Sequence, residues 1–281
     1  MAASPEHLSP RDFQRIAKFI YDYSGIKLTE NKKTMVEGRL RKRVAATGAA
    51  HITDYCRRLF EQGGLASETV PLIDVMTTNK TEFFREPEHF RYLAETALPE
   101  IVAGRRNAAN PTIKVWCAAS SIGAEPYTLA MVLADASQTM GGFRFTITAT
   151  DISTNVLDTA ALAIYPESMV EPVPMDMRKR YLLRSKLESR GLVRIAPELR
   201  QMVRFGRLNL MEAPYPVDRD MDVIFCRNIL IYFDKPTQQR VVGRLCDHLR
   251  PGGYLIVGHS ESLAGFGMPV KQVGGTIFRR E

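Results

Sequence analysis

The stretch Val115 to Met131, VWCAASSIGAEPYTLAM, limits what this chain can fold into more than any other. A short apolar strand (Ile113, Val115, Trp116) runs into a turn of small residues: Ala118, Ala119, Ser120, Ser121 and Gly123. A helix then opens at Glu125 and Pro126, where proline suits the first turn because its missing N–H would be unpaired there anyway. Small residues let backbone N–H groups approach a ligand closely. The pattern fits the first strand–turn–helix of a nucleotide-binding α/β domain, and equally an ordinary βα turn. A single glycine is weaker evidence than G-x-G-x-x-G.

The remainder of the chain favours the nucleotide-binding domain. From Ile113 onward, strands alternate with helices, which argues for a parallel sheet. Strands are expected at Ile113–Cys117, Phe143–Thr150, Val223–Cys226 and Tyr254–Val257. Helices are expected over about Glu125–Ala136, Ser153–Ala163 and Pro236–Leu249. Pro269–Arg280 reads as a terminal hairpin turning at Gly274-Gly275. The long polar stretch Pro166–Gly191 interrupts this order and leads into Leu192–Ile195 and Met202–Phe205. We read it as an inserted subdomain, about 166–205, with a small β-hairpin, the second segment continuing into a strand of the main sheet. A loop longer than about 12 residues inside a domain is often a partner site, though a plain structural insertion fits as well.

Residues 1–85 read as a small helical domain, and 86–281 as the α/β domain. Ser9-Pro10-Arg11-Asp12 caps a first helix, with Phe13, Ile16, Ala17 and Ile20 at helical spacing. A second helix runs from about Asn31 to Thr47, a third from Thr53 to Gln62 and a fourth from Glu68 to Met76. A further helix spans about Pro87–Gly104, and Arg105–Pro111 marks an element boundary.

The net charge is +7, and the first fifty residues hold ten Lys/Arg against five Asp/Glu. An anionic partner is favoured without being named. On the second helix Lys32, Arg39 and Arg43 form a line flanked by Lys42. This is either a solvated face or a docking surface; the lack of acidic partners on that face favours docking. The four cysteines are far apart and show no metal spacing, so free thiols in a reducing cytosol and no bound metal are expected. No signal peptide or membrane span is expected.

Ligands of a parallel sheet bind beyond the carboxyl ends of its strands. Those ends supply Gly123 and Glu125, then Asp151, then Asn209-Leu210, then Arg227-Asn228. Asp151 stands where a carboxylate can accept both ribose hydroxyls, although an Asp there can also be a helix cap. Without a three-glycine turn for a pyrophosphate, a nucleoside lacking phosphates fits better. S-adenosylmethionine is the obvious one: Glu125 suits its ammonium, and Arg and Asn donors suit its carboxylate. The segment Met76–Pro87 places Asn79 and Thr81 before Phe83, Phe84 and Arg85; alone, it also reads as a capped helix start with two core aromatics.

The segments MTTNKTEFFRE (76–86), CAASSIGAEPYTLAM (117–131), ATDIS (149–153), NL (209–210), FCRNILIYFD (225–234) and PGGYLIVGHSES (251–262) carry a resemblance over essentially the whole chain. It resembles the CheR-type chemoreceptor glutamate O-methyltransferases. The resemblance implies a class I S-adenosylmethionine-dependent methyltransferase fold, Rossmann-like and mostly parallel with an antiparallel terminal hairpin. It also implies a helical N-terminal domain and an inserted β-subdomain. By motif position, Asn79, Thr81, Arg85, Glu125, Asp151, Asn209, Leu210, Arg227 and Asn228 are implied as cofactor contacts. Arg85 and Tyr232 are implied next to the transferred methyl. The family often has two acidic residues before its Pro-Tyr pair; here the first is Ala124.

Glutamates of a chemoreceptor's cytoplasmic helical domain are the implied substrate, and S-adenosylhomocysteine the product. A glutamate carboxylate, with a pKa near ~4.3, is already ionised at neutral pH, so no general base is expected. Lys32, Arg39, Lys42 and Arg43 are the expected docking residues, and a receptor's C-terminal peptide is a candidate ligand of the β-subdomain. His259 is expected to be structural. The chain is expected to be a cytoplasmic monomer. A nucleic-acid methyltransferase is disfavoured because Arg-Asn-Ile-Leu replaces the Asn/Asp-Pro-Pro-aromatic run, and no aromatics interleave the basic residues. A non-catalytic binding module would be favoured by loss of Arg85 or Tyr232, and both are present. The glycine count disfavours a nicotinamide dehydrogenase.

Overall fold

A computed structural model describes residues 7–105, 111–185 and 191–281. The expected boundary at Arg105–Pro111 lies, except for its two end residues, outside that set, as do 186–190 of the long polar stretch. Helices α1 (Pro10–Ser24), α2 (Lys33–Thr47), α3 (Ile52–Glu61) and α4 (Leu65–Met76) form the N-terminal unit. Ser9 caps α1 by accepting the Asp12 N–H at 3.0 Å, and Gly25 ends it in the left-handed region.

The Pro87–Gly104 helix is not continuous. It divides into α5 (Pro87–Tyr92), a π-helical turn over Leu93–Ala97, and α6 (Leu98–Ala103). Pro99 has no N–H to continue the helical ladder, and the wider turn precedes it.

The sheet is built from β1 (Thr112–Ala118), β2 (Arg144–Asp151), β6 (Val203–Arg207), β7 (Met221–Cys226), β8 (Leu249–Val257), β9 (Val270–Gly274) and β10 (Ile277–Arg280). Its order is β6-β2-β1-β7-β8-β10-β9. The first five strands in that order are parallel, and β10 runs antiparallel to both its neighbours. The chain moves outward from β1 to β2 and β6, then returns to lay β7 on the other side of β1. The crevice of such a sheet opens at that reversal. Helices α7 (Ala124–Thr139), α8 (Thr154–Leu162) and α11 (Lys235–His248) make the crossovers.

Alternation along the central strands explains why both faces are dry. Ile113, Val115, Cys117, Val223 and Phe225 face α5, α6 and α7; Trp116, Ala118, Ile224 and Cys226 face the other way. That second face is covered partly by the N-terminal unit: Phe13, Ile16, Leu40, Leu72 and Ile73 share one apolar cluster with Trp116, Leu210, Ile224 and Leu255. Polar ties reinforce the join. Asp74 accepts from the Thr154 N–H (2.8 Å) and hydroxyl (2.6 Å), and Asn209 donates to Tyr23 O (2.7 Å).

The insertion differs from the expected hairpin. It is a three-stranded antiparallel sheet of order β3-β5-β4, from β3 (Ile164–Pro166), β4 (Leu182–Arg184) and β5 (Leu192–Ile195), with α9 (Met175–Tyr181) between β3 and β4. After α10 (Pro197–Arg200), β6 leaves it for the edge of the main sheet. β3 is three residues long and ends in proline, too short a run to show alternation; its partner β5 defines it.

Candidate active site

Five segments converge at the crevice: 76–85, 119–125, 150–152, 208–210 and 227–233. Ser24, Ile26, Leu28, Lys32 and Met35 of the N-terminal unit close the top of the resulting cavity of about 230 Å³. Asn79, Thr81, Arg85, Glu125, Asp151, Asn209, Leu210, Arg227, Asn228 and Tyr232 all line it.

Asp151 ends β2 and is buried. One carboxylate oxygen accepts the Ser121 N–H at 2.8 Å and the other the Ser153 N–H at 3.0 Å. Burial pushes its pKa up, opposed by those N–H groups. Ser121 in turn donates its hydroxyl to Asn79 O at 2.9 Å, pinning the 76–85 segment to the turn after β1.

Gly123 does not approach the cavity. Its φ is 91°, and a Cβ there would meet Tyr165 Oη at 2.8 Å and Ala160 Cβ at 2.9 Å. The glycine is required by packing against α8 and β3, while Ala119 and Ser121 on the same turn line the cavity. Five non-glycine residues around the site hold left-handed backbone: Phe84, Glu86, Ala119, Ser121 and Asn228, with φ between 50° and 66°. Such strain persists where surrounding structure imposes it, and it clusters at functional sites.

Arg227 is the centre of the charge network, its side chain only 1% exposed. It donates to Glu125 (2.8 Å), Glu86 (3.0 Å) and Arg85 O, and lies over the rings of Phe90 and Phe225. Burial alone would push Glu86 up, but the Asn228 amide at 3.0 Å and the Arg227 charge hold it below the ordinary carboxylate value. Glu125 also accepts from the Cys117 thiol at 3.0 Å. Burial pushes that thiol well up, so it stays a protonated donor.

Sequence reasoning gives Arg227 and Glu125 separate partners on the ligand; the fold pairs them with each other. Glu125 and Asp151 thus put carboxylates on a cavity that Lys32, Lys80, Arg85 and Arg227 also line, so it can face both the cationic and the anionic groups of a ligand. Arg85 is the guanidinium that keeps its side chain on the cavity, with one donor on Lys80 O at 3.1 Å. Asn209 is largely engaged in structure: its amide binds Tyr23 O, Glu212 and the Met211 N–H.

Two functional residues escape sequence reasoning. Glu86 lies inside the MTTNKTEFFRE motif, where nothing local gives it a role. Glu261 is buried and accepts the N–H groups of Gly258 (2.6 Å), Leu230 (2.7 Å) and Asn228 (2.9 Å). It thereby shapes the loop that delivers Asn228 and Tyr232; burial pushes its pKa up against those N–H groups. A lone carboxylate in a Gly-His-Ser-Glu run is a weak signal, because the loop it serves lies thirty residues earlier.

The basic line needs correction. Arg43 pairs bidentately with Glu68 of α4 at 2.9 and 2.8 Å, so an acidic partner does face it. Arg39 binds Met76 O and Thr78. Lys42 is exposed, and Lys32 lies at the cavity with its ammonium 5.9 Å from the Tyr232 ring centroid. His259, expected to be structural, is 53% exposed at its side chain and stands against Glu88 and His89. His89 is buried, and burial with the Arg227 charge pushes its pKa down to about 4.

A sheet reversal carrying carboxylates, a guanidinium and apolar walls, with no glycine-rich phosphate turn, defines the nucleoside-cofactor site of a class I methyltransferase. Sequence comparison identifies which kind. Residues 79–278 match the family described as CheR methyltransferase, SAM binding domain, and 11–77 match CheR methyltransferase, all-alpha domain. The chain is 37% identical to Chemotaxis protein methyltransferase 2 of Pseudomonas aeruginosa, covering 97% of this chain and 94% of that one. It is 39% identical to the Chemotaxis protein methyltransferases of Salmonella typhimurium (96% and 90% covered) and Escherichia coli (92% and 86%). The chain belongs to the CheR methyltransferase family and is an S-adenosylmethionine-dependent methyltransferase. No described helix is long and apolar enough to cross a membrane.

Proposed function

We propose that this enzyme methylates glutamate side chains in the helical cytoplasmic domain of chemoreceptors, as a monomer in the cytoplasm. One observation carries the reading. Among the described residues lining the cavity there is no histidine or cysteine to act as a base, yet Tyr232, Arg85 and Lys32 offer donors or positive charge to an anion. A carboxylate is ionised near neutral pH and needs no base.

The donor set fits the cofactor: Asp151 for the ribose, the Glu125 side of the acidic network for the ammonium, Arg85 and Asn228 for the carboxylate. When bound, S-adenosylmethionine supplies an electrophilic sulfonium methyl. The protein's task is then positioning. The Tyr232 hydroxyl holds one carboxylate oxygen of the substrate while the other is left to attack. Arg227, locked by Glu86 and Glu125, keeps Arg85 and Asn228 in place through Arg85 O and Glu86. Lys32 attracts the incoming anion. The three-stranded insertion, whose edge strand β4 exposes Leu183, is the candidate seat for a receptor's C-terminal peptide.

The test is transfer of labelled methyl from S-adenosylmethionine to receptor-containing membranes, followed by mild base. Release as methanol is expected for a carboxyl methyl ester; base-stable label would sink the substrate class. Tyr232→Phe should lower kcat about ten- to a hundredfold, the size of a hydrogen bond to a charged group, with cofactor affinity nearly unchanged. Equal losses in both would remove Tyr232 from that role.

A further inference from the structure

Next to Arg227, and outside the lining of the cavity, Glu86 and His89 at the start of α5 meet His259 just after β8. One donor atom of each lies within 4.8 Å of the others. The hydrogen bonds fix the tautomer of the neutral buried ring. Thr276 donates its hydroxyl to Val257 O at 2.8 Å, so its oxygen accepts from His89 Nε2 at 3.0 Å. In the neutral ring His89 Nδ1 is then the bare nitrogen. It is buried without a hydrogen-bond partner, in a residue only 2% exposed, and it points at Glu86 Oε2 from 3.4 Å. A bare imidazole nitrogen and a carboxylate oxygen at that distance can share a cation.

We propose that Glu86, His89 and His259, completed by Glu88, form a binding site for a divalent metal of the zinc class. Two imidazoles and two carboxylates are a donor set that Zn²⁺ takes readily. Ligand atoms about 2.05 Å from a tetrahedral ion lie ~3.3 Å apart, which the His89–Glu86 separation already matches. His259 Nε2 is 4.0 Å from Glu86 Oε2 and in contact with Glu88 Oε1, so a small rotation of this half-exposed ring completes the set. The ligands are themselves held in place: His89 Nε2 by Thr276, and Glu86 by the Asn228 amide, Arg227 and the His259 N–H at 3.3 Å. The Arg227 charge opposes a nearby cation, and the carboxylates of Glu86, Glu88 and Glu125 outweigh it. No step of methyl transfer uses this ion. It shares Glu86 with Arg227 and so stands one residue away from the cofactor cavity.

The experiment is calorimetric titration of Zn²⁺ into the chelator-treated, untagged full chain, alongside His259→Gln and the double variant His259→Gln/Glu88→Gln. Both side chains are substantially exposed, and a thermal melt checks that each variant folds. The site predicts one zinc per chain, bound about tenfold or more weaker in the single variant and not detectably in the double. A wild-type chain that takes up no stoichiometric zinc overturns the proposal. So does one zinc held equally well by both variants, which would place the ion elsewhere.

Discussion

Arg227 and Arg43 are both arginines tied to glutamates from another segment, and they do different things. Arg227 is enclosed: two carboxylates, a backbone carbonyl and two aromatic faces surround it. Each of its partners is also a wall or a support of the cavity, so its position is transmitted to the site. Arg43 is 17% exposed and has one carboxylate partner, Glu68, which also accepts from Tyr55 at 3.0 Å. It joins α2 to α4 and is not among the residues that line the cofactor cavity. The same chemistry therefore serves the site in one place and the helical unit in the other, and only the neighbours distinguish them.

The largest effect should come from Arg227→Ala. Removing it leaves Glu86 and Glu125 facing each other without their shared cation, a loss of about 3–5 kcal/mol for a broken buried pair. Cofactor binding, followed by calorimetry with S-adenosylhomocysteine, should disappear with it. Arg227→Lys should not rescue, because a point ammonium cannot span two carboxylates and a carbonyl. A stable, cofactor-binding alanine variant would break the contrast. Next comes Arg43→Ala, expected to cost about 1–3 kcal/mol in denaturant unfolding while cofactor affinity is unchanged. Altered cofactor affinity there would mean that the helical unit is coupled to the site.

Lys32→Glu/Lys42→Glu sharpens the comparison from the other side. These two lysines, unlike Arg43, remain for a partner. Reversing them should weaken receptor methylation about tenfold at low salt, less at high salt, with the melting temperature nearly unchanged. Receptor kinetics identical to the wild type would remove the docking role. The smallest effect concerns Asp54. The Ala50 N–H and then Arg57 hold its carboxyl down to about 2, against an ordinary value near 3.8. A depressed folded-state pKa stabilises above the unfolded value, and that contribution is lost as pH falls from about 4 towards 2. The melting-temperature gap between wild type and Asp54→Asn should thus be widest near neutral pH and close at about pH 2; a gap independent of pH would contradict it.

Much of this is legible in the chain because it is local. Strand–helix alternation after Ile113, the Ser9 cap and the Gly274-Gly275 turn follow from spacing and backbone preference alone. The candidate site residues that follow β1, β2, β6 and β7 are legible as well, since a parallel sheet brings the carboxyl ends of its strands together; Asn79, Thr81 and Arg85 precede β1 and are legible only through the motif resemblance. Pairing is what a linear reading misses. That Arg227 belongs to Glu125 and Glu86, over a hundred residues away, is invisible to any window along the chain. So is Glu68 opposite Arg43, because helix spacing reports only the partners on the same helix. Gly123 misleads for a similar reason: a turn glycine has the same appearance whether a ligand or Ala160 approaches it.

The sequence by itself determined the α/β alternation, the helical N-terminal unit, the family and the line-up of residues at the strand ends, because periodicity and motif order survive in one dimension. Tertiary structure alone decided that the N-terminal helices share the core of the sheet and cap the cavity. It decided that Glu261 shapes the loop carrying Asn228 and Tyr232, and that Glu86, His89 and His259 meet. Each of these depends on the distance between segments remote in the chain, and burial and electrostatic coupling act through that distance, not through sequence separation.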